Sequence, residues 1–228
     1  MSFPSRFPPS LSSAIAALVG IAAAAAVHAQ QEFPPPQGKG RVVVVASGLS
    51  GMPHYTTVSR EIAALGYDVV LFDGSAMEHT HGEAVKTAIA QALQMPHALP
   101  GKVAVVGFSA GGGESLYYAT QWPDQVAGVV VWYPATSFIR DIPGVASRLQ
   151  VPVLMFAGEK DHYRDNCCTA ENARAIAAAA TAANKQFELM TYPKAEHDFV
   201  KDGAHYNAEA YADAFQRTAA KLKEFLSN

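Results

Sequence analysis

The sequence predicts an α/β domain, a mostly parallel sheet with helices packed on both faces. Three observations predict it. Apolar, β-branched runs of strand length alternate with helical patterns from residue 41 to the C-terminus. Several runs are apolar at consecutive positions, Val42-Val43-Val44-Val45 being the plainest, as strands covered on both sides must be. The composition, 50% hydrophobic and 16% charged in 228 residues, suits one domain of enzyme size and excludes a disordered chain, a coiled coil or a polyelectrolyte tail. With 17 Lys and Arg against 20 Asp and Glu, a net charge of −3 and no basic run, nucleic acid is not an expected partner. Two cysteines exclude a disulfide-rich miniprotein and a four-thiolate zinc site.

Residues 1–29 are set apart from the fold. Arg6 precedes the apolar run Leu11 to Val27, which ends in Val27-His28-Ala29. That is the layout of a secretory signal peptide cleaved after Ala29, and it predicts a periplasmic or secreted protein. The run is short beside the roughly 20 residues that a bilayer span needs, and no second stretch is long enough, so no stable membrane span is expected after removal. Residues 30–40, with Pro34-Pro35-Pro36, read as an extended linker. The domain proper occupies residues 41–228. Strands are expected at Arg41–Ala46, Tyr67–Phe72, Lys102–Gly107, Val126–Trp132, Val151–Ala157 and Gln186–Tyr192. Helices are expected at about Thr56–Leu65, Glu83–Gln94, Ala110–Gln121, Thr169–Ala183 and Ala208–Leu226. There is no internal repeat. In such sheets ligands bind at the carboxyl ends of the strands, which directs the search for chemistry.

The third strand run ends in Gly107-Phe108-Ser109-Ala110-Gly111, followed by Gly112 and Gly113. This G-x-S-x-G stands where a strand turns sharply into a helix, the context that makes a weak pattern meaningful. Small residues are needed there because the nucleophile sits in a strained backbone conformation. A serine hydroxyl needs a base, and the base needs an orienting carboxylate. In this architecture the chain order is Ser, acid, His, each after a later strand. Asp161 follows the strand ending at Ala157, with Glu159 and Asp165 as competing carboxylates, and His197 follows the strand ending at Tyr192. An oxyanion would be held by the Ala110 N–H, at the positive end of the new helix. The second donor is expected from the Gly-rich loop Ser47–Met52, with Leu49 preferred over Gly48 and Ser50.

Around Gly-Phe-Ser-Ala-Gly-Gly at Ser109, Asp161-His162-Tyr163 and Ala195-Glu196-His197-Asp198-Phe199, the chain resembles the dienelactone hydrolase family of the α/β-hydrolase superfamily, from about Gly40 onward. The resemblance implies an α/β-hydrolase fold without a large cap domain and a nucleophile–Asp–His triad. It departs from the family pattern at specific places. Position 109 is serine where the dienelactone enzymes have cysteine, and Ser47–Met52 lacks their glutamate. Of the two arginines that hold the substrate carboxylate, one region offers only Lys86 and the other Lys201.

Other features bear on the site. Tyr133, after the fourth strand, could line the pocket or serve as a core aromatic. His79 and His81 lack a third ligand at metal spacing, so a solvated or site-lining loop is the expectation and no metal is assigned. Adjacent Cα atoms lie about 3.8 Å apart, below the usual disulfide range. Cys167-Cys168 therefore leaves a vicinal bridge, free thiols and an intermolecular bond all open. The expectation is an exported serine hydrolase, a carboxylesterase on small esters or lactones, needing no cofactor. A peptidase or acyltransferase with the same triad, or a binding protein on a hydrolase scaffold, are the alternatives. Oligomeric state is not readable.

Overall fold

In the computed structural model, Met1 and residues 30–75 and 81–227 are described. Residues 2–29, where the signal peptide is expected, and His79 lie outside the described residues. Seven strands form one sheet: β1 (Gln30–Phe33), β2 (Val42–Ala46), β3 (Asp68–Phe72), β4 (Val103–Phe108), β5 (Val126–Trp132), β6 (Val153–Gly158) and β7 (Phe187–Tyr192). Six α-helices accompany them: α1 (Thr56–Ala64), α2 (Glu83–Ala92), α3 (Ser109–Tyr117), α4 (Ile142–Arg148), α5 (Ala170–Ala182) and α6 (Ala208–Leu226). The strand order is β1-β3-β2-β4-β5-β6-β7. All neighbours are parallel except β1, which runs antiparallel to β3. The parallel α/β-hydrolase architecture expected from the sequence is present.

Alternation along each strand divides the core in two. Val42, Val44 and Ala46 point to one side, with α2, α3, α4 and α5, while Val43 and Val45 point to the other, with α1 and α6. The run of four valines is thus buried on both faces, as parallel strands require.

Several elements differ from expectation. Residues 30–33 are not linker but the edge strand β1, in register from Gln30↔Phe72 to Phe33↔Val69. Its polar QQEF composition hides it, and the prolines that follow end it because they cannot donate to a ladder. Helix α4 was not foreseen. Its start is capped by Asp141, whose Oδ1 accepts from the Gly144 N–H at 2.9 Å, and Val145 and Ala146 are buried in the core. The stretch between β5 and β6, residues 133–152, is therefore partly structural layer. A short 3₁₀ turn, Met52–Tyr55, also precedes α1. Strand β6 starts at Val153, two residues later than expected, after Pro152.

Strand order reverses direction at β2, which lies between β3 and β4. The crevice at such a switch point, beyond the carboxyl ends of the strands, is where α/β sheets bind ligands. The loop after β2 and the start of α3 after β4 both open onto it.

Candidate functional site

Strand β4 runs straight into α3. Phe108 is extended (φ −117°, ψ 135°), and Ser109 takes a positive φ of 50° before the helix proceeds. That left-handed conformation is costly for a residue with a Cβ and persists only where the surroundings over-determine it. Here the surroundings are backbone. A Cβ on Gly107 would stand 2.7 Å from the Gly111 oxygen, and one on Gly111 would stand 2.3 Å from the Ser47 oxygen. Gly111 lets α3 press against the carboxyl end of β2 and Gly107 lets it lie against β4, and the turn is thereby fixed.

The structure brings Ser109, His197 and Asp161 together. Ser109 Oγ lies 2.9 Å from His197 Nε2, and His197 Nδ1 lies 2.8 Å from Asp161 Oδ2. All three are buried: 5%, 7% and 1% exposed. The other oxygen of Asp161 accepts from the Tyr163 N–H at 3.1 Å, which leaves Oδ2 aimed at the imidazole. The competing carboxylates are elsewhere: Glu159 pairs with Arg174, and Asp165 is exposed.

His197 is held on several sides. Tyr163 stacks on it (centroids 4.5 Å apart, planes at 8°), and Tyr133 meets it edge-on at 4.8 Å. The residue after it, Asp198, is itself at φ 63°. Its carboxylate accepts from Tyr133 Oη at 3.2 Å and from the Ala204 N–H at 3.0 Å, and lies 2.9 Å from His54 Nε2. Burial above all, then the Tyr55 and Asp198 charges, drives the Tyr133 phenol well above its ordinary range. Burial, then Asp198, does the same to Tyr55. Both phenols stay protonated and available as donors.

Tyr133 is therefore fully buried behind the histidine and does not line the hollow over Ser109. Lys201 does not reach that hollow either. Its ammonium pairs with Glu61 and sits 5.3 Å from the Tyr211 ring. Lys86 lies on α2 beside Glu83, and His81 lines a different hollow, with Tyr117, Tyr118 and Phe138. The hollow at Ser109 has a volume of about 160 Å³ and is lined by Leu49, Ser50, Tyr55, Tyr163, His197, Asp198, Ala204 and His205. Larger hollows on the surface, of about 560 and 580 Å³, contain no member of the Ser109–His197–Asp161 chain. Leu49 and Ser50 stand at the hollow as expected. Gly48 lies close against Tyr55, whose hydroxyl would stand 2.6 Å from a Cβ at that position. Ala110 occupies the first turn of α3.

The sequence reading missed Tyr55, His54 and Asp198 as site residues. Asp198 was adjacent to a chosen histidine, but only the fold shows its carboxylate turned inward to three donors. Of the alternatives for the adjacent cysteines, the structure contains the vicinal bridge Cys167–Cys168. The Cys167 carbonyl accepts from the Thr136 and Ser137 N–H groups at 2.8 and 3.0 Å, tying the loop after β6 to the loop after β5. Cys168 lies near Asp161 and His197, but its sulfur is bonded to Cys167 and is not a thiolate ligand, so this trio does not form an open metal site.

A family model, "Dienelactone hydrolase family", matches residues 74–226. A Yersinia pestis protein provisionally named carboxymethylenebutenolidase is 36% identical over 123 residues, covering 51% of this chain and 44% of that protein. The chain spans about half the length of the curated relatives it matches. Among solved structures, one from Klebsiella pneumoniae, provisionally named a dienelactone hydrolase, superposes with a TM-score of 0.73 at 22% identity, covering 86% of this chain and 92% of that one. A dienelactone hydrolase-like promiscuous phosphotriesterase from metagenomic libraries gives 0.68 at 19%, covering 83% and 88%. At these identities the structural likeness concerns the fold.

The glycine contacts generate a prediction. Gly111→Ala places a methyl against immovable backbone at Ala46 and Ser47, and overpacking of this kind costs about 1–3 kcal/mol. Urea denaturation is expected to show a loss of that size; an unchanged midpoint would mean that α3 is not held by this contact.

Proposed function

The chain belongs to the dienelactone hydrolase family, and from that premise we propose that it is an exported serine hydrolase that cleaves small carboxylic esters or lactones. One observation carries the reading: the continuous hydrogen-bonded chain from Ser109 Oγ through His197 to Asp161, 2.9 and 2.8 Å, with the serine at the mouth of a hollow. In the proposed reaction Ser109 Oγ bonds to the acyl carbon as its proton passes to His197 Nε2. Asp161 Oδ2 accepts from Nδ1–H, holds the tautomer and stabilises the imidazolium. The imidazolium then protonates the departing alkoxide, leaving an acyl-serine. Water attacks that ester, giving its proton to His197, and the carboxylic acid leaves as Ser109 is restored.

The oxyanion is assigned to the Ala110 N–H and to a donor from the loop after β2. Leu49 lines the hollow, which supports it as that donor, with Gly48 and Ser50 as rivals. Because neither Lys86 nor Lys201 borders the hollow, recognition of an acid group by paired cations has no support here. A hollow of about 160 Å³ is small beside the 300–1,000 Å³ typical of ligand pockets, and it accommodates little buried alkyl length. Short acyl groups fit that volume.

Export is supported by the arrangement of residues 11–29. The bridged cysteines suit an oxidising compartment. No helix among the described residues is long and apolar enough to cross a membrane. Intact-mass measurement of exported protein is expected to give a chain starting at Gln30; a retained Met1 or Ser2 would contradict it.

Two kinetic expectations follow. Asp161→Asn should lower kcat by about 10³–10⁴, since the wrong histidine tautomer is then favoured, while Asp165→Asn leaves it nearly unchanged. Equal losses would refute the assignment of the acid. In a panel of chromogenic substrates, acetyl and butyryl aryl esters should show higher kcat/KM than long-chain esters or dienelactone. A preference of tenfold or more for dienelactone, about 1.4 kcal/mol in the transition state, would overturn the substrate reading.

A further inference from the structure

At the opposite end of the sheet's strands from Ser109, three side chains from distant parts of the chain converge. Glu32 comes from β1, Asp68 opens β3, and His97 lies between α2 and β4. One ligand atom from each lies within 4.8 Å of the others, and His97 Nδ1 is 3.0 Å from Glu32 Oε1. The convergence follows from the register. Glu32 pairs with Val70, and Asp68, two residues before Val70, shares that face of the sheet. His97 is brought alongside by the backbone: its carbonyl accepts from the Gly40 N–H at 2.9 Å, and Leu99 N–H donates to the Gly40 carbonyl at 2.8 Å.

The cluster is electrostatically incomplete. The Asp68 side chain is fully buried, at 0% exposure, and neither of its oxygens has a hydrogen-bond donor. The group facing it is Glu32, a second acceptor. Burial and then the Glu32 charge push the Asp68 carboxyl up to about 6, with His97 opposing. Two carboxylates turned toward each other in a buried place need a cation or a shared proton between them. The imidazole in the set, and the two negative charges that a dication would neutralise, favour a borderline metal over calcium or magnesium. The half-exposed His97 (43% for its side chain) leaves an approach from solvent and room for water as a further ligand.

We propose that Glu32, Asp68 and His97 form a structural binding site for a divalent ion of the zinc class, fastening the N-terminal edge strand to β3 and to the segment before β4. The site lies at the amino end of β3, whereas Ser109 follows the carboxyl end of β4, and the parallel strands put these at opposite ends of the sheet's strands. The ion has no part in the ester chemistry.

The test uses tag-free protein stripped with chelator and titrated with Co²⁺ and then Zn²⁺. One Co²⁺ per chain, with visible d–d bands that Zn²⁺ abolishes, and a thermal midpoint raised by several degrees in Zn²⁺ are expected. Glu32→Gln and His97→Gln should each weaken binding by about tenfold or more, and Asp68→Asn should abolish it, all with ester hydrolysis unchanged. If Asp68→Asn fails to fold, the half-exposed His97→Gln variant decides. No binding at one equivalent, or binding indifferent to both Glu32→Gln and His97→Gln, would overturn the proposal. So would a wild-type midpoint insensitive to Zn²⁺ together with a metal-free Asp68→Asn protein more stable than wild type, which would assign the cluster to a shared proton.

Discussion

Everything at the site depends on one backbone contact: the first turn of α3 lying against the carboxyl end of β2. The contact is possible because Gly111 presents no side chain where a Cβ would come within 2.3 Å of the Ser47 oxygen, and Gly107 likewise lets the same turn lie over β4, where a Cβ would stand 2.7 Å from the Gly111 oxygen. It forces Ser109 to φ 50°, a conformation that costs on the order of 1–3 kcal/mol. The same approach brings the loop after β2 beside the serine, since a Cβ on Gly48 would lie 2.8 Å from that of Ser109. Ser109 and the loop proposed to hold the oxyanion are therefore set by one packing decision. The cost is offset by the strands on either side, whose residues are almost entirely buried.

A second layer supports the histidine. Phe108, Trp132, Tyr133, Phe199 and Tyr211 form a connected aromatic cluster on the α1 and α6 side of the sheet. Asp198, with the Tyr133 hydroxyl, the Ala204 N–H and His54 around its carboxylate, pins the loop after β7 to that cluster. Tyr133 and Asp198, like Ser109, have positive φ. Three residues at positive φ thus meet at one place, around the histidine that faces Ser109. Preorganisation of this kind is what a hydrolase needs, because a histidine free to swing would not remain at 2.9 Å from the serine.

The parallel sheet and the convergence of Ser109, Asp161 and His197 were legible in the sequence for a physical reason. The doubly buried strands β4 and β6 have an unmistakable apolar run, β7 is a half-buried strand of the same rhythm, and the three residues lie in the turns and loops that follow these strands. What could not be read were features created by pairing across long separations. The β1 strand is polar and only four residues long, so nothing local distinguishes it from the proline-rich segment it adjoins. Helix α4 begins Ile142-Pro143-Gly144, a poor helical start that the Asp141 cap repairs. Lys201 was placed by its spacing from His197, yet its ammonium is drawn to Glu61, 140 residues away. The Glu32–Asp68–His97 cluster has no sequence signature, because strand register and a loop bridge, not spacing, bring its members together.

The central claim is that Ser109 is the nucleophile, activated by His197. A fluorophosphonate probe with peptide mapping tests it most directly, because only a hydroxyl poised for attack on a tetrahedral centre forms a stable adduct. The account predicts one adduct per chain, on the peptide containing Ser109, lost in His197→Ala together with ester hydrolysis. Ester hydrolysis with no adduct on Ser109, or an adduct on another serine, would contradict it.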